Sequence, residues 1–340
     1  METRPLVDLV NKLIEESKEY RPLVVEWDIT YRCPFSCVHC LQKNNRHIEE
    51  LNKEIIFRMI DELTELGTIE YKISGGDPLI RSDIFEILKY IKQTNARVVV
   101  YTSGYYLTDE ICEKLSRLDV TRVETTLLGT DAETHDSLSR CPGGFNKICR
   151  GIRKLNDLGV PQKVKYIQMQ QNFSQTEKIA SLAEGLGVEI YPSPYLWCPI
   201  DSLESEIEPY RLTKDELTEH YRLYPQLPIE KTFLNCGAGK YLMGISADGK
   251  VMPCAVFSRN YAAGNISELS MKDIWNNSEL LKGFRGKIRY PIFKCRVCET
   301  SEFCILCPGV ASWANKNVFE PYEPMCHYAQ IAKKAYEETH

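Results

Sequence analysis

The stretch "YRCPFSCVHCLQ", Tyr31 to Gln42, sets Cys33, Cys37 and Cys40 within eight residues, and no further cysteine follows before Cys112. Thiols spaced by three and then two residues can hold three corners of an iron–sulfur cubane and leave one iron without a protein ligand. A tetrahedral zinc takes four ligands, so a zinc site borrowing a distant fourth residue is the alternative. The preceding "LVVEWDIT" (23–30) reads as a strand from its β-branched and aromatic residues. The thiols therefore fall in a loop at a strand's C-terminal end.

Strands and helices alternate from there. The periodicity predicts a helix over 52–66, with Ile55, Ile56, Met59, Ile60 and Leu63 on one face, and a strand over 69–74 that runs into Gly75-Gly76-Asp77-Pro78. Further helices are predicted at 83–93, 109–118, 144–158 and 175–186, and strands at 97–102, 122–128, 163–170 and 188–193. Six βα-type repeats predict an α/β fold with a parallel sheet, either an incomplete (β/α)6 barrel or an open doubly wound sheet. In both, ligands gather at the C-terminal ends of strands, where the cysteine loop, the Gly-Gly-Asp-Pro segment and Thr102-Ser103-Gly104 fall.

Leu6, Leu9, Val10, Leu13 and Ile14 predict an amphipathic helix within 1–22. The core then spans 23–200, and 201–235 is a Pro- and Glu-rich bridge with a short helix at 213–224. Residues 236–340 form a separate region, with a hairpin turning at Asp248-Gly249, a helix at 270–283 and dense cysteines.

The 340 residues are 43% apolar and 26% charged, with a net charge of −5 and no basic run. That balance argues against a nucleic-acid or membrane-surface binder. The N-terminus is charged throughout, neither a signal peptide nor a span, so the expected location is cytoplasmic. Fourteen cysteines in a reducing compartment point to metal rather than to disulfides.

"CPFSCVHC" after the first strand and "SGGDP" after the second resemble the radical S-adenosylmethionine (SAM) enzymes. The resemblance covers roughly 23–200 and implies the barrel. It also implies that Cys33, Cys37 and Cys40 hold a [4Fe–4S] cluster whose open iron is chelated by SAM, and that reductive cleavage of SAM yields a 5′-deoxyadenosyl radical. It places His39 against the adenine, and Gly75, Gly76, Asp77 and Pro78 at the methionyl amine, with Asp77 where glutamate is usual. Thr102 and Ser103 lie at the same edge. "ETTLLGTDAETHDSLSRCPGGF" resembles the segment that meets the ribose and turns into a helix, with Thr126 in the usual serine place and Arg140 a candidate for the SAM carboxylate.

The C-terminal region resembles the SPASM domain, which carries two auxiliary [4Fe–4S] clusters. Twelve residues separate Cys236 from Gly249 and four separate Gly249 from Cys254; Cys295-x2-Cys298-x5-Cys304-x2-Cys307 and Cys326 follow. The resemblance assigns Cys295, Cys298, Cys304 and Cys326 to one cluster, and Cys236, Cys254 and Cys307 to another that is one ligand short. Either that iron is open or a bridge residue such as Cys198 completes it. Paired zinc knuckles are the alternative for Cys-x2-Cys.

Cys112 and Cys149 sit on apolar helix faces and are expected in the core. Cys141 and Cys198 follow strands four and six and are candidate hydrogen-atom donors, with Tyr105, Tyr195 and Trp197 as candidate cavity walls. His135-Asp136 is expected to cap the following turn rather than act as an acid–base pair. About twenty residues precede the first strand, fewer than in many peptide-modifying members, so recognition is expected to need a separate leader-binding protein, a short substrate or direct cavity contacts, beside a flavodoxin- or ferredoxin-type donor. The implied substrate is a ribosomally made peptide, crosslinked, epimerised or cleaved. The alternatives are a small molecule or tetrapyrrole, and a non-catalytic iron–sulfur or zinc protein.

Overall fold

The computed structural model describes residues 19–198, 203–228, 236–287, 295, 297–304, 307–314, 318 and 320–339. The helix predicted at 6–14 lies outside the described residues. The chain divides into two compact units. One holds the described residues of Trp27–Phe57 and Ile69–Glu216, the other those of Met1–Glu26, Arg58–Thr68 and Leu217–His340.

The strands of the first unit are the Trp27–Thr30 part of β1 (Val24–Thr30), β2 (Glu70–Gly75), β3 (Arg97–Tyr101), β4 (Arg122–Leu127), β5 (Gln162–Ile167) and β6 (Ile190–Ser193), side by side in the order β6-β5-β4-β3-β2-β1. Neighbours from β2 to β6 pair in parallel. Parallel pairing requires crossovers, and the helices α1 (Lys53–Glu65), α2 (Ile84–Gln93), α3 (Asp109–Arg117), α4 (Ala132–Ser139), α5 (Gly144–Asp157) and α6 (Ile179–Leu186) supply them. These strands therefore end on one edge.

One face of the sheet packs on helices: Leu127, Val164 and Tyr166 meet Ile148 and Ile152 of α5 and Ile179 and Leu186 of α6. Burying each such side chain stabilises the fold by about 1.5–3 kcal/mol. Cys112 and Cys149 are buried, as expected. Alternate residues carry charge instead: Glu70 and Lys72 on β2, Arg122 and Glu124 on β4, Lys163 and Lys165 on β5. A parallel strand covered by apolar layers on both faces reads as continuously apolar, so this second face is polar by composition.

Three elements depart from expectation. Helix α4 carries no apolar stripe that periodicity could detect; Asp131 caps it by accepting from the Thr134 amide. Strand β5 stops at Ile167 because the Asn172 side chain accepts from the Met169 amide and donates to the carbonyls of Ile167 and Leu128. The helix predicted at 270–283 is two, α8 (Met271–Asn277) and α9 (Glu279–Lys287), after α7 (Lys214–Leu223). Ser278 is extended between them, following two asparagines of poor helix propensity.

In the second unit, β7 (Leu242–Ile245), β8 (Lys250–Met252) and β9 (Gly264–Asn265) form an antiparallel meander, and Gly249 at φ 84° makes the first turn. Helices α10 (Pro308–Ala314) and α11 (Glu323–Thr339) follow the meander. Among the described residues no helix is long and apolar enough to cross a membrane.

Candidate functional site

The cysteine loop begins where β1 ends and is fixed by its backbone. Ser36 N donates to Ser139 O at 2.9 Å and Val38 N to Leu138 O at 3.0 Å, anchoring the loop to the end of α4. Phe35 is buried beneath it, edge-on to Tyr105 and His135. Burial pushes the Cys33 thiol up to about 12, with Asp77 and Cys40 adding to the shift. Burial raises Cys37 further, reinforced by Cys40 and Cys33. Cys33 and Cys37 thus sit in a half-buried loop within electrostatic reach of each other and of Cys40, and ligation must replace the protons that burial holds on them. Among the described residues no three His, Cys, Asp or Glu side chains converge as ligands of one ion would; a cubane takes its thiolates at separate corners.

The end of β2 is stitched to the same loop. Gly76 N donates to Thr30 O at 2.7 Å and Asp77 N to Arg32 O at 2.8 Å. A Cβ on Gly75, which sits at φ 126°, would lie 1.9 Å from Thr30 O, and one on Gly76 would lie 2.2 Å from Arg32 O. These glycines are explained by the close approach of β1, apart from any contact with a cofactor. Asp77 is fully buried, and its carboxylate accepts from the Leu79 amide, the Thr102 hydroxyl and both the amide and hydroxyl of Ser103. Burial nevertheless holds its carboxyl above the usual range. The side chains of Asp77, Thr102 and Ser103 thus brace one another and leave backbone groups to face a ligand. Pro78 opens the buried turn that follows.

His39 and His135 are electrostatic neighbours, each pushed down to about 4 chiefly by burial. His135 Nδ1 accepts from the Leu128 amide, while His39 Nδ1 is closed from solvent without a partner. Thr126 is half-buried near the end of β4. Arg140 is exposed and left-handed at φ 54°, ending α4. Asp136 caps α5 by accepting from the amides of Gly143 and Phe145, as expected for that pair.

Two charged groups escaped the sequence reading. Glu50 accepts from Arg32, Arg81 and Thr30. Burial opposes its ionisation, but these partners hold its carboxyl below the usual range. Glu124, nearly fully buried, pairs with Arg122 at 2.6 Å and with Lys165 at 2.9 Å, whose ammonium lies 4.8 Å from the Tyr101 ring. Charge at every second residue of "RVET" and "KVKY" was the available signal.

Cys198 is 6% exposed among Leu128, Leu138, Met169, Leu196 and Ile207, packed against Cys37 and Val38. Burial and Glu204 push its thiol up to about 11. Cys141 is 9% exposed in the cluster containing Phe35 and Ile148. Both candidate hydrogen donors are therefore apolar walls beside the cysteine loop rather than open cavity thiols. Tyr195 and Trp197 alternate with the buried Leu196 and Cys198, half-buried and stacked at 5.5 Å.

In the second unit the thiols fall into two groups. Cys295, Cys298, Cys304 and Cys326 line one cavity, and burial with its three companions pushes Cys304 up to about 12. Burial raises Cys236, Cys254 and Cys307; Glu26, Cys307 and Cys236 add to the shift of Cys254, which lies well above its usual value, and Cys236 adds to that of Cys307, at about 11. Cys307 also borders the first cavity.

Residues 27–183 match the radical SAM superfamily, and residues 236–299 match the SPASM iron–sulfur cluster-binding domain. An AdoMet-dependent heme synthase of Methanosarcina barkeri is 30% identical over 90% of this chain and 97% of its own length. The chain belongs to the radical SAM superfamily. Mycofactocin maturase MftC of Mycolicibacterium smegmatis is 29% identical to this radical SAM chain, over 82% of it and 77% of the maturase. The structure of anSMEcpe with bound AdoMet and Cp18Cys peptide superposes with a TM-score of 0.70 at 16% identity, covering 92% of this chain and 95% of that one. The chain is thus an enzyme of this superfamily with a SPASM domain, using SAM, a [4Fe–4S] cluster and auxiliary iron–sulfur clusters. The donor set fits these groups: half-buried thiols within electrostatic reach of one another, and a His39 nitrogen of the same loop closed from solvent without a partner.

Proposed function

We propose that this enzyme modifies a ribosomally made peptide by hydrogen abstraction, using three [4Fe–4S] clusters. The observation that carries the catalytic reading is the cysteine loop at the strand-end edge of a sheet whose second face is polar. Cys33, Cys37 and Cys40 would hold the SAM-binding cluster, Cys236, Cys254 and Cys307 the second, and Cys295, Cys298, Cys304 and Cys326 the third. When bound, SAM and its cluster supply the radical that abstracts hydrogen. The chain's own part is placement and exclusion of water. Backbone at Gly75–Pro78 would hold the methionyl amine, His39 the adenine, Thr126 the ribose and Arg140 the carboxylate. Neutral His39 and His135 add no positive charge beside a sulfonium. The apolar surroundings of Cys198 and Cys141 keep water from the loop, and their protonated thiols are the form able to return a hydrogen atom.

The maturase likeness and the peptide held by the structural neighbour support a peptide substrate, with Tyr195 and Trp197 as its wall. A separate leader-binding protein and a flavodoxin- or ferredoxin-type donor complete the system. A second reading, decarboxylation of a tetrapyrrole, is favoured by the near end-to-end match to a heme synthase. Anaerobic reconstitution should yield about twelve irons per chain, four per cluster, and 5′-deoxyadenosine under strong reductant. Mass analysis of a peptide encoded beside the gene, and of a propionate-bearing tetrapyrrole, then separates the two readings. Carbon dioxide loss from the tetrapyrrole with an unmodified peptide would reject the first.

A further inference from the structure

The polar face of the first unit's sheet carries more positive than negative charge. Alternation and register place Lys72, Arg97, Arg122, Lys163 and Lys165 on it, against Asp28, Glu70 and Glu124. The chain as a whole runs the other way, at a net −5. A sheet face with such a surplus attracts anions.

The surplus is organised around Glu124. One oxygen of this nearly fully buried carboxylate accepts from Arg122 Nε at 2.9 Å and Nη2 at 2.6 Å. The other oxygen meets Lys165 Nζ at 2.9 Å, and the Tyr101 ring, 4.8 Å away, attracts the same ammonium. Two cations on one carboxylate leave a positive charge over. About a third of each cationic side chain is exposed. A guanidinium and an ammonium each have more N–H donors than Glu124 takes up here, so both keep donors to spare. A buried carboxylate serving the fold alone needs only one cation, and an apolar residue in its place would serve about as well.

The pair also lies toward the strand-end edge. Lys165 is the register partner of Thr126, near the end of β4. Glu124 precedes Thr126 by two residues on the same face, about 7 Å along the strand. Thr126 is the residue proposed for the SAM ribose, and on that reading Lys165 borders the place where hydrogen is abstracted.

We propose that Arg122 and Lys165, held at fixed spacing by Glu124, form a subsite that binds a carboxylate of the substrate. The proposal rests on the reading that SAM lies at this strand-end edge. A carboxylate accepts from the unused donors of both cations, and its charge cancels the surplus. Acidic side chains of a peptide and propionates of a tetrapyrrole share this chemistry. Substrates without a carboxylate are disfavoured, because the surplus cation stays uncompensated.

The test uses the anaerobically reconstituted full chain and two pairs of probes. One is a propionate-bearing iron tetrapyrrole with its methyl ester, the other a glutamate-rich peptide with its glutamine counterpart. Equilibrium titration should show that the wild-type enzyme binds one acid probe roughly tenfold more tightly than its neutral counterpart. Lys165→Met should bind that acid probe roughly tenfold more weakly and the neutral one as before, while Lys165→Arg keeps the acid preference. The acid probe that is preferred tells a propionate from a peptide carboxylate. Should Lys165→Met fail to fold, Arg122→Gln takes its place. Absent or equal binding of acid and neutral probes of both kinds overturns the proposal, as does an acid preference that survives in the folded variant. A matching loss of SAM affinity in Lys165→Met assigns the pair to SAM's own carboxylate and overturns it too. Failure of the wild-type enzyme to form 5′-deoxyadenosine under strong reductant overturns instead the reading beneath it, which the probe affinities do not depend on.

Discussion

Replacing Asp77 by alanine removes the acceptor of four donors at once. The amides of Leu79 and Ser103 have no substitute partner, while the Thr102 and Ser103 hydroxyls can rotate toward others. Each buried, unsatisfied N–H costs about 1–3 kcal/mol. Relief of the buried carboxylate's desolvation offsets part of this, leaving a net loss of about 2–4 kcal/mol. That corresponds to a fall in Tm of roughly 4–12 °C. Asparagine keeps one oxygen for the amides and can donate to a hydroxyl, so it should cost less than about 1.5 kcal/mol. Glutamate adds a methylene to a fully buried site, and should cost about 1–3 kcal/mol although it is the residue usual in the family. The pH dependence follows from the raised carboxyl. The native state takes up the proton more readily than the unfolded chain, so this contribution is complete below the ordinary value of 3.8 and is lost as pH rises through the native one. Asn carries no such dependence, so Asp77→Asn should cost most at low pH and less toward neutrality. Urea unfolding followed by circular dichroism at several pH values measures all of this. Alanine and asparagine variants within about 0.5 kcal/mol of each other, or the opposite pH trend, would refute the bracing role.

Gly75→Ala should fail to accumulate as folded protein, because its Cβ meets Thr30 O at 1.9 Å in a left-handed conformation; soluble yield and circular dichroism check this. Glu50→Gln should cost about 1–3 kcal/mol at neutral pH through weakened bonds from Arg32 and Arg81. Because the native Glu50 carboxyl is depressed, that difference should shrink as pH falls below the ordinary value of 4.5, as urea midpoints at successive pH values will report. Cys198→Ala should retain full iron content, given that residue's apolar neighbours, and lose about 1–2 kcal/mol of stability from the vacated volume; iron analysis and thermal melts decide both.

The alternation of elements and the placement of the cysteine loop were legible because apolar periodicity and thiol spacing are local properties. Helix α4 was not, since "AETHDSLS" has no stripe and its start depends on one capping bond. The break at Ser278 was likewise hidden inside a pattern that continues across it. For the glycines of the second motif, the sequence gives residue type without the partner: the intruding atoms are β1 carbonyls forty-odd residues away in the chain. Asp77 reads as a ligand in one dimension and as a brace in three, because Thr102 and Ser103 arrive from another strand.

The two backbone bonds joining Gly76 and Asp77 to Thr30 and Arg32 have an evolutionary consequence. They belong to peptide groups, so the spacing between the cysteine loop and the Gly-Gly-Asp-Pro segment is held by main-chain bonds and by the lack of a side chain at Gly75 and Gly76. Substitutions on the polar sheet face leave these main-chain bonds in place. A scaffold built this way separates the part of an enzyme that diversifies from the part that must stay constant.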